Sequence, residues 1–337
     1  MSDGGQRGTS SPVRKRLWFA LRLVVTGALC WWIATQVDWW LLASKLYHAN
    51  PWAIALVIGL GFVNVVVVSS YKWQQLLRMH DLAYPLMRLA RWYCIATFLS
   101  RALPTNIGGD AYRIYKTLNN ARNRTCAVLA VVADRLSGLI ALMLMGFVAA
   151  LFSWALTGHW LSANLSALGS AGLIAGLLVL FVLWRWPLMA KLAKLRVGPV
   201  SLSVLLEHIG EYARDRGRLA TVMLLSLLFH ANRVLCMWLL VNAVGASAHV
   251  ADLAVALAAM TVIGLLPISI GGLGLVDGTF IVIMGQYGLA QEAALSAMLL
   301  TRALVLPVHL LGAVLYFRGE RQESSSQEVP AFVRNAG

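Results

Sequence analysis

The chain reads as a series of long apolar runs separated by short polar stretches. Six runs reach about 20 residues or more, the length needed to cross a bilayer as helix. They fall at Leu17–Val37, Pro51–Ser70, Thr125–Phe152, Leu165–Trp184, Leu219–Val244 and Ala293–Phe317. Two further apolar runs, Leu89–Leu103 and Leu253–Leu266, are shorter. As helix they extend only about 21–23 Å, against a hydrocarbon core of ~30 Å. Each short run ends in nearly the same phrase, "LPTNIGGD" at 103–110 and "LPISIGGL" at 266–273. Proline removes a helix donor and paired glycine frees the backbone. Broken backbone survives at membrane depth only where protein or a wet cavity surrounds it. The two phrases therefore predict re-entrant hairpin tips, built on Pro104, Gly108 and Gly109 and on Pro267, Gly271, Gly272 and Gly274. The first returns through "DAYRIYKTL", the second through "LGLVDGTFIVIMGQYG".

The predicted fold class is an all-α polytopic membrane protein with about six transmembrane helices, two re-entrant helical hairpins and an inverted repeat. Three full spans separate the hairpins, so they enter from opposite faces. An arginine also follows each phrase at similar distance, Arg135 and Arg302. Residues 1–16 read as a disordered cytoplasmic N-terminus, 17–318 as the transmembrane domain and 319–337 as a cytoplasmic tail. The run at 17–37 lacks a clear small-residue cleavage site and reads as a retained span. The stretch 187–216 is too polar to span and reads as a surface helix on the inner leaflet or a plain linker.

Composition supports this picture: 59% of the 337 residues are hydrophobic, 12% are charged, and mean hydropathy is +0.72. The net charge of +14 becomes informative once it is mapped onto loops. With a cytoplasmic N-terminus, the outer loops at 38–50, 153–164, 245–252 and 286–292 hold a single basic residue, Lys45. The other side holds Lys72, Arg78, Arg91, Lys116, Arg124, Arg185, Lys194 and Arg214 among many more. By the positive-inside rule both termini are cytoplasmic and the protein sits in the inner membrane. Trp39, Trp40, Trp52, Trp154 and Trp160 would then form an outer aromatic belt. The same excess of positive charge brings no nucleic-acid motif with it, so nucleic acid is not expected as a partner. The four cysteines are dispersed and the histidines lack ligand spacing, so neither a disulfide framework nor a metal site is expected.

Charge within the apolar runs is costly, at least ~2.5–3.5 kcal/mol per residue on insertion scales, and asks for a partner or a role. The candidates are Arg101, Asp110, Arg113, Asp134, Arg135, Arg233, Asp277 and Arg302. Five are arginines, whose planar fork binds phosphate oxygens in pairs, so the set predicts an anionic ligand. Bland readings stand beside this one. Asp134–Arg135 could form a structural ion pair with Arg302. Asp110 and Asp277 could cap the returning helices. Arg113 could snorkel toward headgroups. Arg233, in "FHANRVLC", could belong to a hydrogen-bond network with His230 and Asn232. "GGLGLVDG" lacks the Lys-Ser/Thr of a phosphate-binding loop, no catalytic residue stands out, and no cofactor is expected.

With these residues identified, the chain resembles the lysylphosphatidylglycerol synthase transmembrane-region family, also called flippase-like or UPF0104. "FLSRALPTNIGGDAYRIYK", "VVADRLSGLIAL" and "LLPISIGGLGLVDGTFIVIMGQYGLAQEAALSAMLLTRAL" carry the resemblance, which spans about residues 17–318. In two-part members of that family the membrane domain is thought to move aminoacylated phosphatidylglycerol between leaflets, while a cytoplasmic domain performs aminoacyl transfer. The resemblance implies a stand-alone lipid-handling domain without the transferase half. One departure is Asp277, where the family's third block usually has glutamate. The implied partners are an anionic membrane lipid and either a second copy of the chain or a separate lipid-modifying enzyme. The expected function is translocation or binding of an anionic phospholipid or lipid-linked precursor. A membrane-embedded lipid or glycosyl transferase, with Asp110 as its acid, and a purely structural subunit are the alternatives.

Overall fold

In a computed structural model of the protein, the residues described are 39–102, 108–117, 121–158, 215–265 and 272–327, with isolated positions elsewhere. They are helical almost throughout. A two-residue pairing of Arg196–Val197 with Val200–Ser201 interrupts the stretch expected to be a surface helix or linker. The helices are α1 Trp39–Tyr47, α2 Pro51–Val63, α3 Ser70–Arg78, α4 Leu86–Ala102, α5 Gly108–Thr117 and α6 Ala121–Thr157. They continue as α7 Arg216–Ala243, α8 Val250–Gly264, α9 Leu275–Gln286, α10 Gln291–Leu304 and α11 Leu306–Gln327. The protein is an all-α polytopic membrane protein. Four apolar helical stretches among the described residues are long enough to span: Pro51–Arg78, Thr125–Thr157, Arg216–Ala243 and Gln291–Arg318. The spans expected at 17–37 and 165–184 lie largely outside the described residues.

Local chemistry accounts for the helix limits. Asn50 caps α2 by accepting the Trp52 N–H at 3.0 Å, and Pro51 occupies the first turn, where no donor is needed. Asp215 caps α7 through the Arg218 N–H at 3.0 Å. Between α2 and α3 the chain widens into a π-helix at Asn64–Ser69, where the Ser69 hydroxyl donates to the Asn64 carbonyl at 2.9 Å. The expected end of this span at Ser70 is corrected, because the helix runs on to Arg78. The polar residues beyond Ser70 (Lys72, Gln74, Gln75) are buried against neighbouring helices, so an apolarity criterion stops the span too early.

Helix directions follow from named contacts. Asn64 donates its amide to the Phe229 carbonyl, Asn232 to the Leu60 carbonyl, and the Arg218 guanidinium to the Arg78 carbonyl, so α2–α3 runs against α7. Trp73 meets Trp92 and Tyr93 while Tyr84 folds back on Trp92, so α4 runs against α3 and parallel to α7. Ser153 bonds Asp252 and Gly146 abuts Ala258, so α8 runs against α6. His230 meets the Gly138 carbonyl, while Trp238 packs in the same cluster as Met145 and Ala149, so α6 and α7 are parallel. The outbound helices of the hairpins, α4 and α8, therefore point in opposite directions. α4–α5 and α8–α9 enter the bundle from opposite sides, as the repeated phrase predicts. Trp52, at the start of α2, and Trp154, at the end of α6, are both exposed at one end of the bundle.

Two apolar clusters back the hairpins. The first gathers Trp73, Leu76, Leu77, Leu89, Ala130 and Val222 behind α4–α5. The second, larger and mainly aliphatic, gathers residues of α7 to α10 around Leu240, Leu253, Phe280, Met284 and Ala297. The helix α11 lies against α4 so closely that a Cβ on Gly312 would strike the Cys94 carbonyl, a contact only glycine permits.

Candidate functional site

The returning helix of the first hairpin starts at Gly108, so the paired glycines open α5. Gly109 lets α5 lie on α4, since a Cβ there would meet the Ala96 carbonyl and the Ser100 hydroxyl. Asp110 sits in the first turn of α5, where a carboxylate is favoured by the helix dipole. From there it takes the Arg135 fork of α6: Nε donates to Oδ2 and Nη2 to Oδ1, each at 3.0 Å. Three residues on from Asp110 and on the same helix face, Arg113 lies deeper in the protein, almost wholly buried, with its Nη1 3.6 Å from Asp110. Its Nη1 donates to Asp134 at 2.9 Å, and its guanidinium lies over the rings of Trp73 and Tyr93 at 4.4 and 4.7 Å. Of the two readings of Arg113, ligand contact or snorkelling toward headgroups, the second does not hold, because the aromatic walls and Asp134 keep it inside.

Asp134 has a second cation, Lys72, whose Nζ lies 2.8 Å from its carboxylate. Lys72 also donates to the Asp134 carbonyl at 3.0 Å and to the Ser226 hydroxyl at 3.1 Å. The adjacent acid and base at 134 and 135 therefore do not pair with each other, nor with Arg302. Neighbouring side chains on a helix diverge by about 100°, so Asp134 turns inward to Lys72 of α3 and Arg113 of α5, while Arg135 turns outward to Asp110 at the start of α5. Lys72 belongs to this centre although the sequence places it only among the inner-side charges. Its signal is its position, directly after the apolar run that ends at Ser70. The π-helix one turn earlier shifts the helix face, which brings Lys72 round to α6.

The second hairpin reproduces the first pair. Asp277 lies in the first turn of α9 and receives the Arg302 fork of α10, Nε to Oδ1 at 2.9 Å and Nη2 to Oδ2 at 2.6 Å. In both hairpins the acid precedes its arginine by 25 residues. Measured from the acid, then, the repeat is regular, and that spacing was the available sign of both pairings. Asp277 also accepts the Gly274 N–H at 3.1 Å, one half of a capping box, which closes the start of α9; glycine has no side chain to supply the other half. Gly274 has φ of 75°, a left-handed conformation that favours glycine. Pro104, Pro267 and Gly271 lie outside the described residues, while Gly272 stands just before this cap.

The hairpins meet at Arg101. It ends α4, forms no hydrogen bond or ion pair among the described residues, and lies within electrostatic reach of Arg302 and Asp277. Arg101 and Arg302 share a cavity of about 430 Å³ with His309, walled by Phe98, Leu306 and Leu310. Two guanidinium groups face one carboxylate there, so the cavity holds a surplus of positive charge against apolar walls. Arg233 stands apart, its Nη1 at 3.4 Å from the Thr261 hydroxyl of α8. His230 and Asn232 each bond a backbone carbonyl, Gly138 and Leu60, so the cluster expected around Arg233 is dispersed over three contacts. Another buried pair absent from sequence reasoning, Ser153 donating to Asp252 at 2.5 Å, fastens α6 to the start of α8. Among the described residues no group of three potential metal ligands occurs.

These features define a class: a polytopic α-helical membrane protein with two oppositely inserted hairpins and arginine at their junction. The chain belongs to the family described as the lysylphosphatidylglycerol synthase TM region, whose profile matches residues 19–312. A comparison with curated proteins finds no match. Membership supports a role connected with membrane lipid.

Proposed function

We propose that this protein translocates an anionic phospholipid or lipid-linked precursor between the leaflets of the inner membrane, with both termini cytoplasmic. The observation that carries the reading is Arg101, a guanidinium without an acid of its own. It lies within electrostatic reach of the Asp277–Arg302 pair, in a cavity that Arg302 and His309 also line and whose remaining walls are apolar. A charge at that position calls for an anion, and the apolar wall of α11 suits an acyl chain alongside it. The opposed hairpins supply the element that transport between leaflets needs, since each opens helix ends from a different side. The transferase reading is the weaker one. Its acid, Asp110, is engaged by both nitrogens of the Arg135 fork, so its two oxygens are already occupied by a partner instead of standing open to a substrate.

The test is mass spectrometry of lipids that co-purify in mild detergent, for wild type and a folded Arg101→Ala, Arg302→Ala variant. Enrichment of one anionic lipid class in the wild type, lost in the variant, is the expected result. The same bulk lipid mixture in both would overturn the reading. Leaflet exchange of a fluorescent lipid in reconstituted vesicles then separates transport from binding.

A further inference from the structure

We propose that Asp110 and Asp277 are resident counter-anions. Each occupies, in the unloaded protein, the arginine fork that a lipid phosphate takes over, so the protein carries two phosphate stations, one per hairpin. The inference rests on the anionic-lipid reading and assigns its two contact points.

Both pairs share geometry and position. Each acid lies in the first turn of a returning helix, each arginine lies 25 residues on, and each contact uses Nε together with Nη2. That edge of the guanidinium accepts two carboxylate oxygens or two phosphate oxygens in the same plane, so exchange of one anion for the other needs no movement of the arginine.

Exposure divides these pairs from the third carboxylate centre. Asp134 is sealed, with its side chain 6% exposed and Arg113 at 3%. Arg135, one residue along, is 62% exposed although it lies about ten residues, roughly 15 Å, into the apolar run that starts at Thr125. An open guanidinium at that depth must face water or a headgroup. Arg302 is 24% exposed and lines the cavity that holds Arg101. Among the described residues, the hairpins and their partner helices thus carry one closed ion-pair centre for structure, around Asp134, and two more open acid–arginine pairs, at Asp110–Arg135 and Asp277–Arg302.

Each displaced acid has a second partner in place. Asp277 keeps the Gly274 N–H at 3.1 Å, and Asp110 has the Arg113 Nη1 at 3.6 Å. Displacement therefore leaves neither carboxylate stranded, and it can reverse when the lipid leaves. In this arrangement the acids lower affinity and promote release, which a transporter requires of its sites.

The experiment measures binding of short-chain phosphatidylglycerol to the full chain in detergent. Diacylglycerol serves as the uncharged control and inorganic phosphate as the free anion. The proteins are wild type, Asp277→Asn, Asp277→Ser and Asp110→Asn, with thermal unfolding recorded for each. Asn and Ser both keep an oxygen for the cap and drop the charge, so at least one variant at 277 retains a closed α9. The expected result is phosphatidylglycerol binding roughly 5-fold or more tighter in folded Asp→Asn variants, the scale of losing one partly exposed competing pair, with slower leaflet exchange. Binding equal to or weaker than wild type in folded variants at both positions would overturn the counter-anion role while leaving the lipid reading intact. Preference of wild type for diacylglycerol would sink the lipid reading itself. Inorganic phosphate binding as tightly as the lipid would overturn the lipid assignment of the stations.

Discussion

The two hairpins share one plan but are anchored by different chemistry. At the first, Arg113 is buried on Asp134 and Lys72 beneath Trp73 and Tyr93. At the second, α9 presents Phe280 to the aliphatic cluster, wholly buried, and the residue before the paired arginine is Thr301 rather than an acid. Thr301 bonds only within its own helix, to the Ala297 carbonyl at 2.8 Å. The surface pairs Asp110–Arg135 and Asp277–Arg302 are common to both halves, whereas the buried triad belongs to one. What the halves share is therefore the acid–arginine pair at the start of each returning helix, and what differs is the part that fixes each hairpin to the bundle. A charged anchor is directional and unforgiving, because every partner must stay. An apolar anchor tolerates sliding, since dispersion contacts re-form over a range of positions.

The difference can be attacked at several points, and the largest effect belongs to the charged anchor. Asp134→Ala leaves Lys72 and Arg113 buried without their acid, a loss of roughly 3–5 kcal/mol. Thermal unfolding in detergent should show the variant failing to fold or melting far below wild type, whereas Thr301→Val should melt within a few degrees of it. Phe280→Ala tests the apolar anchor. Truncating a fully buried phenylalanine costs about 3–5 kcal/mol, and the cavity should loosen α9 selectively, seen as faster hydrogen exchange there with α5 unchanged. Next comes packing between halves. Gly312→Ala drives a methyl into the Cys94 carbonyl of α4, with an expected loss of about 1–3 kcal/mol. Gly264→Ala on α8 meets one methyl of Val276 at 3.1 Å, a milder contact with a side chain instead of backbone, and should cost less, a ranking that paired melting curves would check. The smallest effect on stability is the most informative. Replacing Lys72, Arg113 and Asp134 together by Met, Met and Leu makes the first anchor as apolar as the second and is expected to be near neutral. If that triple variant folds and exchanges lipid normally, the charged anchor has no role beyond holding α5. If it folds and exchange stops, rigidity of the first hairpin is part of transport.

Much of this architecture is legible in the chain. The lengths of apolar runs follow from bilayer thickness, and the Pro and Gly-Gly phrases mark where two helices must break. The bias of Lys and Arg to alternate loops selects one threading in which the hairpins oppose each other. The helix contacts of Asn64, Trp73, Gly146 and His230 agree with that threading. Membership of the lysylphosphatidylglycerol synthase TM region family, matched over residues 19–312, was legible in the same motifs.

The pairing of charges was not. Asp134 and Arg135 look like one unit in sequence and belong to two centres in space, because successive helix positions face different neighbours. Lys72 looks like an inner-loop charge and is a buried ligand of Asp134, because a π-helix at Asn64–Ser69 turns its helix face toward α6. Arg101 is distant in sequence from Arg302 and His309 and lines one cavity with them, because the end of α4 is brought against α10 and α11 by the close approach at Gly312. Burial in lipid is a property of run length and composition, so sequence alone determines which segments enter the membrane. Which charge meets which depends on helix rotation and on contacts between separate helices, with partners 21 to 62 residues apart, and only the packed tertiary structure decides it.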